Sequence, residues 1–180
     1  MNDIINNCSQ SVLKDEQGAA CFSIAERVVN ALIKHGLHIS FAESCTGGLA
    51  AARIVDVPNA SYVLDASFVT YAERAKVKFV NVAEESIAEH GVVSECVALS
   101  MAKGAAAAAK ADAAISVTGI AGPDGGTKEK PVGLVYIGCY VQGKVTVKEC
   151  HFSGSRSEIR QATVESALIL LRECILEQLG

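Results

Sequence analysis

Two reactive side chains stand together in the segment FAESCTGGLA, residues 41–50. Ser44 and Cys45 follow a short apolar run and precede a glycine pair and a run of helix-forming residues. A serine hydroxyl or a cysteine thiol can act as a nucleophile, but a serine at the start of a helix also commonly caps it. The segment therefore allows two interpretations of Ser44, as a nucleophile or as a helix cap.

Backbone groups at the same junction could support such chemistry. The first N–H groups of a helix lack intrahelical partners, so those of Cys45, Thr46 or Gly47 could hold an oxyanion or a phosphate. Gly47 and Gly48 would let a ligand approach the backbone closely. The alternative interpretation is that the two glycines only allow tight packing.

A nucleophilic serine needs a base, and the sequence offers a lysine for this role. The four histidines occupy the ends of predicted elements or exposed-looking positions: His35, His38, His90 and His151. A Ser-His-Asp triad therefore finds no support. Lys76 follows a predicted strand and lies between the apolar residues Ala75 and Val77. Burial there would disfavour the ammonium form and leave a neutral amine able to take the serine proton; otherwise Lys76 is an ordinary surface lysine.

Cys45 is the alternative nucleophile. At a helix start the pKa of a thiol should fall, which favours the reactive thiolate. No histidine lies near Cys45 in the sequence, so we expect this residue to be packed. The chain has seven cysteines, an odd number, with no CxxC pair and no zinc-ligand spacing, which fits a reduced cytosolic compartment.

A glycine-rich segment, VTGIAGPDGG at residues 117–126, follows a predicted buried strand. Thr118 stands at the end of that strand, and the loop after it contains Gly119 and Gly122. Such loops cradle anions or flat ligands, but they also serve as simple connections. The segment matches neither the Walker pattern nor GxGxxG at a helix start, so ATP and NAD lose support as cofactors.

Arg156 and Arg160 lie on one face at the start of the predicted last helix. Positive charge is unfavourable at a helix N-terminus. An anionic partner would explain these arginines better than helix stability does, although both could also be solvated surface residues.

The composition limits the possible classes of protein. Of the 180 residues, 50% are apolar and 20% are charged, which predicts one domain with a sizeable core. The net charge of −4 and the scattered Lys and Arg residues argue against nucleic acid as a partner. The sequence has no signal peptide and no apolar run approaching about 20 residues, so we expect a soluble cytoplasmic protein without a membrane segment.

The apolar pattern predicts strands that alternate with helices. Residues 1–18 are polar and are expected to form a disordered or helical N-terminal arm, followed by a domain at 19–180. Predicted helices cover about residues 22–35, 46–55, 84–89, 94–110 and 155–179, with a short turn or helix at 73–79. Predicted strands cover about residues 37–44, 61–71, 112–119, 132–141 and 144–152, the last two forming a hairpin hinged at Gln142-Gly143. The expected fold class is α/β, a three-layer α/β/α sandwich with a mixed β-sheet in a single domain.

Ligands bind at the carboxyl ends of the strands in sheets of this kind. Three unusual segments follow predicted strands: ESCTGG (43–48), TYAERAK (70–76) and TGIAGPDGG (118–126). They are far apart in the sequence and can meet only across the sheet. We therefore expect any site to lie where these three strand ends come together.

Four motifs carry a resemblance to a known family. They are AESCTGG (42–48), VTYAERAKVKFVNV (69–82), VTGIAGPDGGTKEKPVG (117–133) and SGSRSEIRQATVESAL (153–168). In this order and with these separations, over about residues 22–178, they closely resemble the CinA C-terminal domain family. Members of that family act as nicotinamide-nucleotide amidases, and this chain looks like the single-domain version.

The resemblance implies a reaction and a set of residues. The reaction is hydrolysis of the carboxamide of nicotinamide mononucleotide to nicotinate mononucleotide and ammonia, without a metal or a cofactor. The resemblance implies a serine and a lysine as the catalytic pair, which fall here on Ser44 and Lys76. Tyr71, Thr118 and an arginine of the last motif line the family pocket. The implied substrate-binding set is Cys45, Thr46, Gly47, Gly48, Tyr71, Thr118, Gly119, Gly122, Arg156 and Arg160.

The resemblance also implies partners. A pyridine nucleotide is the expected small-molecule substrate, and a homodimer is the expected assembly. A second hypothesis is a nucleotide-binding paralogue of the same family without turnover. A third is a partner-binding protein that uses the Ala-rich helix predicted at 94–110, which would require a conspicuous exposed apolar patch.

Overall fold

The computed structural model describes residues 22–180, so the predicted N-terminal arm at 1–18 lies outside the described residues. The elements follow in the order α1 (Ile24–His35), β1 (Ile39–Glu43), α2 (Leu49–Val55), a 3₁₀ turn (Ala60–Tyr62), β2 (Leu64–Val69), α3 (Glu73–Val80), α4 (Glu84–His90), α5 (Glu95–Ala109), β3 (Ala113–Gly119), β4 (Leu134–Val141), β5 (Lys144–His151) and α6 (Arg156–Leu179). The short segment predicted as a turn or helix is thus the helix α3, and β2 begins later than expected because the 3₁₀ turn precedes it.

The five strands form one mixed sheet in the order β2-β1-β3-β4-β5. Strand β1 is parallel to both β2 and β3, whereas β4 runs antiparallel to β3 and β5. The last residue of β1, Glu43, pairs with Val69 on one side and Val117 on the other. The carboxyl ends of these three parallel strands therefore lie side by side at one edge of the sheet.

Helices cover both faces of the sheet. Helices α1 and α2 pack with α6 on one face, and α3 and α4 pack with α5 on the other. Each layer closes over its own buried apolar cluster, a large one that includes Phe41 and Ile115 and a smaller one that includes Met101 and Val80. The predicted three-layer α/β/α arrangement with a mixed sheet is confirmed. Within residues 22–180, no helix combines the length and the apolar character needed to cross a bilayer.

Local sequence signals account for several of these elements. Ser23 and Glu26 form a reciprocal capping box at the start of α1, and the helix ends at Gly36 in the left-handed conformation. The β4–β5 hairpin turns at Gln142 and Gly143, whose φ angles of 42° and 96° suit a tight two-residue turn. The predicted hairpin is therefore confirmed at its predicted hinge.

The Ala-rich helix α5 packs within the domain, against the sheet and α3. A Cβ atom placed on Gly104 would lie 1.7 Å from the carbonyl oxygen of Val80, so only glycine allows this approach. The exposed positions of α5 carry charged and small side chains, at Glu95, Lys103, Ala107 and Ala108. Helix α5 therefore does not present the large apolar patch that the third hypothesis requires.

Candidate active site

The side chains of Ser44 and Lys76 meet at the carboxyl ends of β1 and β2. Ser44 follows the last residue of β1, and its N–H donates to Val117 O of β3 at 3.0 Å. Lys76 lies in α3, which begins shortly after β2 ends, and its Nζ is 3.1 Å from Ser44 Oγ. Because Lys76 is only 2% exposed, the interpretation of this residue as a surface lysine is wrong.

Two backbone carbonyls orient the amine of Lys76. The Nζ atom lies 2.7 Å from Thr70 O and 3.5 Å from Tyr71 O. Carbonyl oxygens can only accept hydrogen bonds, so both contacts require N–H groups on the lysine. A neutral amine that donates to both carbonyls has its lone pair left for the third neighbour, the hydroxyl of Ser44.

Burial also favours the neutral form of the Lys76 amine. Removal from water lowers the pKa of Lys76 below its ordinary value, and the negative charge of Glu73 opposes part of that shift. A lowered pKa increases the neutral fraction at a given pH. Lys76 thus has the contact, the orientation and the direction of pKa shift that a general base needs.

Ser44 does not cap the following helix. Gly47 and Gly48 adopt positive φ angles of 63° and 98°, which delay the start of α2 to Leu49, and the N-cap residue Gly48 makes no side-chain cap. The interpretation of Ser44 as a helix cap is therefore wrong. The two glycines extend the turn, so the serine stands before the helix instead of on its first turn.

Glu43 caps helix α2 in place of Ser44. Its carboxylate accepts hydrogen bonds from the N–H groups of Gly48 at 2.9 Å, Ala50 at 3.1 Å and Ala51 at 2.9 Å. Sequence reasoning missed this residue, although a signal existed. Glu43 ends a strand whose five positions are all buried, and a buried carboxylate must find donors.

Two of the three predicted oxyanion donors are available. The N–H of Gly47 donates to Ser44 O at 3.1 Å, so it is not available to an oxyanion. Within residues 22–180, no hydrogen bond joins the N–H of Cys45 or Thr46 to another residue. These two N–H groups directly follow the serine in the chain.

Cys45 is packed, as expected. It is 6% exposed, and burial raises the pKa of its thiol to about 11, with its own backbone N–H and the charge of Arg160 opposing part of the rise. The expected fall of the thiol pKa at a helix start is wrong, because burial raises this pKa and helix α2 begins only at Leu49. A buried neutral thiol is a poor nucleophile, so Ser44 is left without a rival at this turn.

The two arginines bind backbone carbonyls at the site. Arg160 donates through Nε to Cys45 O at 3.0 Å and through Nη2 to Thr46 O at 2.8 Å. Arg156 donates through Nη1 to Gly122 O at 2.7 Å and through Nη2 to the hydroxyl of Tyr71 at 3.1 Å. The start of α6 therefore joins the serine turn, the glycine loop and Tyr71. Anion binding by either arginine stays a prediction.

Close packing surrounds the start of the glycine loop. Thr118 is buried, and its hydroxyl donates to Val92 O at 2.6 Å. A Cβ atom on Gly119 would come within 2.6 Å of the Val135 side chain, and one on Gly122 within 2.6 Å of the Val132 side chain. Contact of these residues with a substrate stays a prediction.

The histidines lie apart from this arrangement. His38 Nδ1 and Asp65 Oδ2 are 2.8 Å apart, and His151 Nε2 and Glu149 Oε1 are 2.8 Å apart, both pairs largely exposed. In the described part of the chain, none of the four histidines hydrogen-bonds to Ser44, and no group of three His, Cys, Asp or Glu side chains could hold a metal ion.

The fold and the site together define a class of protein: an α/β domain in which a serine contacts a buried lysine at the carboxyl ends of parallel strands. Residues 22–175 match the family model of the CinA C-terminal domain, and the chain belongs to this family.

Curated relatives and solved structures agree with this assignment. The chain is 50% identical over 154 residues to a CinA-like protein of Dictyoglomus turgidum, covering 86% of this chain and 38% of the relative. It is 46% identical over 156 residues to a putative competence-damage inducible protein of Clostridium botulinum, covering 87% of this chain and 38% of the relative. The chain thus spans less than two fifths of these relatives' length.

Among solved structures, the competence/damage inducible protein CihA of Agrobacterium tumefaciens superposes with a TM-score of 0.81 at 43% identity, covering 82% of this chain and 91% of that chain. A CinA superfamily protein of Klebsiella pneumoniae gives a TM-score of 0.83 at 32% identity, covering 86% of this chain and 96% of that chain. The fold is therefore that of the CinA structures.

Proposed function

We propose that the protein hydrolyses the carboxamide of nicotinamide mononucleotide to nicotinate mononucleotide and ammonia. The observation that carries the proposal is the 3.1 Å contact between Lys76 Nζ and Ser44 Oγ. A serine nucleophile with a desolvated lysine as its base can cleave an unactivated amide without a metal. Membership in the CinA family supports a pyridine nucleotide as the substrate.

The first half of the reaction forms an acyl-enzyme. Neutral Lys76 takes the proton of Ser44 as Oγ attacks the amide carbon, and the N–H groups of Cys45 and Thr46 stabilise the oxyanion. The C–N bond then breaks, and the Lys76 ammonium gives its proton to the departing amide nitrogen, which leaves as ammonia. Lys76 is neutral again at the end of this half.

The second half restores the enzyme. Lys76 takes a proton from water as the water oxygen attacks the acyl carbon. The same N–H groups stabilise the second oxyanion. Collapse breaks the bond to Ser44 Oγ, and Lys76 returns the proton to the serine. The products are the original enzyme and the free acid, which loses its proton to solvent and is present as the carboxylate.

Groups around the turn would bind the rest of the nucleotide. Arg156 is exposed and carries a positive charge beside Tyr71 and Gly122, which suits a phosphate and a ribose. The backbone near Gly48, Thr118 and Gly119 lines the same strand ends. Binding energy from the nucleotide would hold the amide carbon against Ser44. A cytoplasmic homodimer is part of the proposal.

Ammonia release from nicotinamide mononucleotide by the purified full chain tests the proposal. Ser44→Ala and Lys76→Ala should each lower kcat at least about a thousandfold. Matched controls are Ser67→Ala in β2 and Lys78→Ala in α3, which remove exposed residues of the same types and should keep wild-type rates. Equal activity in the wild type and both site variants would contradict the mechanism. Thermal stabilisation by the nucleotide without any ammonia would favour a binding paralogue.

A further inference from the structure

Glu43 is a fully buried carboxylate immediately before Ser44. A carboxylate in a dry interior is costly unless hydrogen-bond donors surround it. Here the donors are the N–H groups of Gly48, Ala50 and Ala51, at 2.9–3.1 Å. These N–H groups belong to the extended turn and the first turn of α2, where a helix offers them no carbonyl of its own. The helix dipole there also favours negative charge.

Arg160 holds the same segment through its carbonyl groups. Its guanidinium accepts no hydrogen bond and donates to Cys45 O at 3.0 Å and Thr46 O at 2.8 Å. The segment after Ser44 is therefore bound by two charged side chains of opposite sign, Glu43 through N–H groups and Arg160 through carbonyls. Hydrogen bonds in which one partner is charged are stronger than neutral ones.

These bonds determine which way the free N–H groups point. In a trans peptide unit the C=O and N–H bonds point in opposite directions. With Cys45 O directed at Arg160, the N–H of Thr46 must point away from that guanidinium. Thr46 O is also directed at Arg160, so the N–H of Gly47 points away from it and donates to Ser44 O at 3.1 Å. The N–H of Cys45 points opposite to Ser44 O in its own peptide unit. Within residues 22–180, the N–H groups of Cys45 and Thr46 donate to no other residue.

We propose that Glu43 is a positioning residue, which with Arg160 fixes the peptide units after Ser44 so that the N–H groups of Cys45 and Thr46 face the oxyanion. The proposal rests on the proposed function, because it assumes acyl transfer at Ser44. An oxyanion forms only in the transition state and the intermediates, so loss of this alignment lowers kcat and leaves KM unchanged. A helix cap with a purely structural role would lower the stability without that selective effect.

The isosteric variant Glu43→Gln tests the proposal. Its amide can accept fewer N–H bonds than a carboxylate, so the turn loosens while the volume is kept. The expected result is a fall of about ten- to a hundredfold in kcat, less than the loss of a whole oxyanion donor, with KM within about twofold. The matched control is Ser23→Ala, which removes the capping box of α1 and should lower Tm without changing kcat.

Arg160→Lys provides a second variant on the opposite side of the turn. Lysine keeps the charge but loses the two-pronged guanidinium contact. The same fall in kcat at constant KM is expected. A raised KM at constant kcat would assign Arg160 to the substrate instead and would overturn its part in the proposal. This partly exposed position also keeps the test available if Glu43→Gln does not fold.

A fluorophosphonate probe separates this proposal from the choice of substrate. Ser44 Oγ forms a bond to phosphorus, fluoride leaves, Lys76 takes the serine proton, and the N–H groups of the turn stabilise the phosphoryl oxygen. Mass spectrometry of intact protein gives the labelling rate. Labelling of the wild type without ammonia release would refute the substrate alone, and Glu43→Gln should still slow labelling at least about tenfold. Wild-type rates in Glu43→Gln, or no labelling of wild-type Ser44, would overturn the proposal.

Discussion

The Nζ of Lys76 lies 3.1 Å from the Oγ of Ser44 across 32 residues of sequence. The register of the sheet produces this contact. Glu43 pairs with Val69, and the N–H of Thr70 donates to Glu43 O at 2.8 Å. The strands β1 and β2 therefore end side by side at the same edge of the sheet. Helix α3 then brings Lys76 back over the end of β1, so a lysine that is distant in sequence contacts the serine.

The pH dependence of the reaction should follow Lys76. Its ammonium form cannot take the serine proton, so kcat/KM should rise with pH and level off above the pKa of Lys76 in the free enzyme. Burial lowers that pKa, so the midpoint should lie below the ordinary value of 10.5. Initial rates between about pH 5 and 10 give the profile. A rate that does not change with pH over this range would argue against a lysine base.

Stability should depend on pH through the same group. The lowered pKa means that the folded state binds fewer protons at Lys76 than the unfolded state between the folded and the ordinary pKa. The contribution of Lys76 to the free energy of unfolding is therefore fully present above about pH 10.5 and is lost as the pH falls through the lowered pKa. Denaturant unfolding should show that the free energy of unfolding of the wild type increases with pH relative to that of Lys76→Met.

Cys45 should not be required for activity. Its buried thiol has a pKa of about 11 and is neutral near pH 7. Cys45→Ala should keep kcat within about threefold and lose about 1 kcal/mol of stability for the small cavity. Ammonia assays and urea unfolding measure the two effects. A loss of activity as large as that of Ser44→Ala would reverse the assignment of the nucleophile.

Arg156 should distinguish substrates by their phosphate. If it binds the phosphate, Arg156→Ala should raise KM for nicotinamide mononucleotide about tenfold or more and change little for nicotinamide riboside, which lacks the phosphate. Arg172→Ala, farther along the same helix, is the control. An equal effect on both substrates would indicate that Arg156 acts through Tyr71 and Gly122 alone.

Gly104 should be the most sensitive glycine of the α3–α5 contact. Gly104→Ala would place a methyl group 1.7 Å from Val80 O, which is backbone and cannot rotate away. The expected loss is about 2–4 kcal/mol in the free energy of unfolding. Gly143→Ala meets nothing within 4 Å and bears only the strain of a φ of 96°, about 1 kcal/mol. Equal losses in the two variants would show that the helices can separate at little cost.

Local patterns in the sequence were enough to predict much of the fold. The apolar spacing of α1, the Gln142-Gly143 hinge and the alternation of β4 and β5 act between neighbours in the chain, and the predicted elements were confirmed. The motifs at residues 42–48 and 117–133 were also enough to indicate the family, which the match over residues 22–175 shows.

Only the tertiary structure decided the environment of each site residue. Ser44 does not cap a helix because two glycines delay the helix, and the pKa of Cys45 rises because core residues surround it. Lys76 is buried because the parallel pairing of β1 and β2 brings α3 over the serine, and Glu43 becomes a helix cap through the same turn. The pKa of a side chain and the groups that it contacts depend on burial and on hydrogen bonds between segments distant in sequence. Local residue types do not determine either. The sequence by itself thus determined which residues were present at the strand ends, and the packing of the sheet decided what each of them contacts.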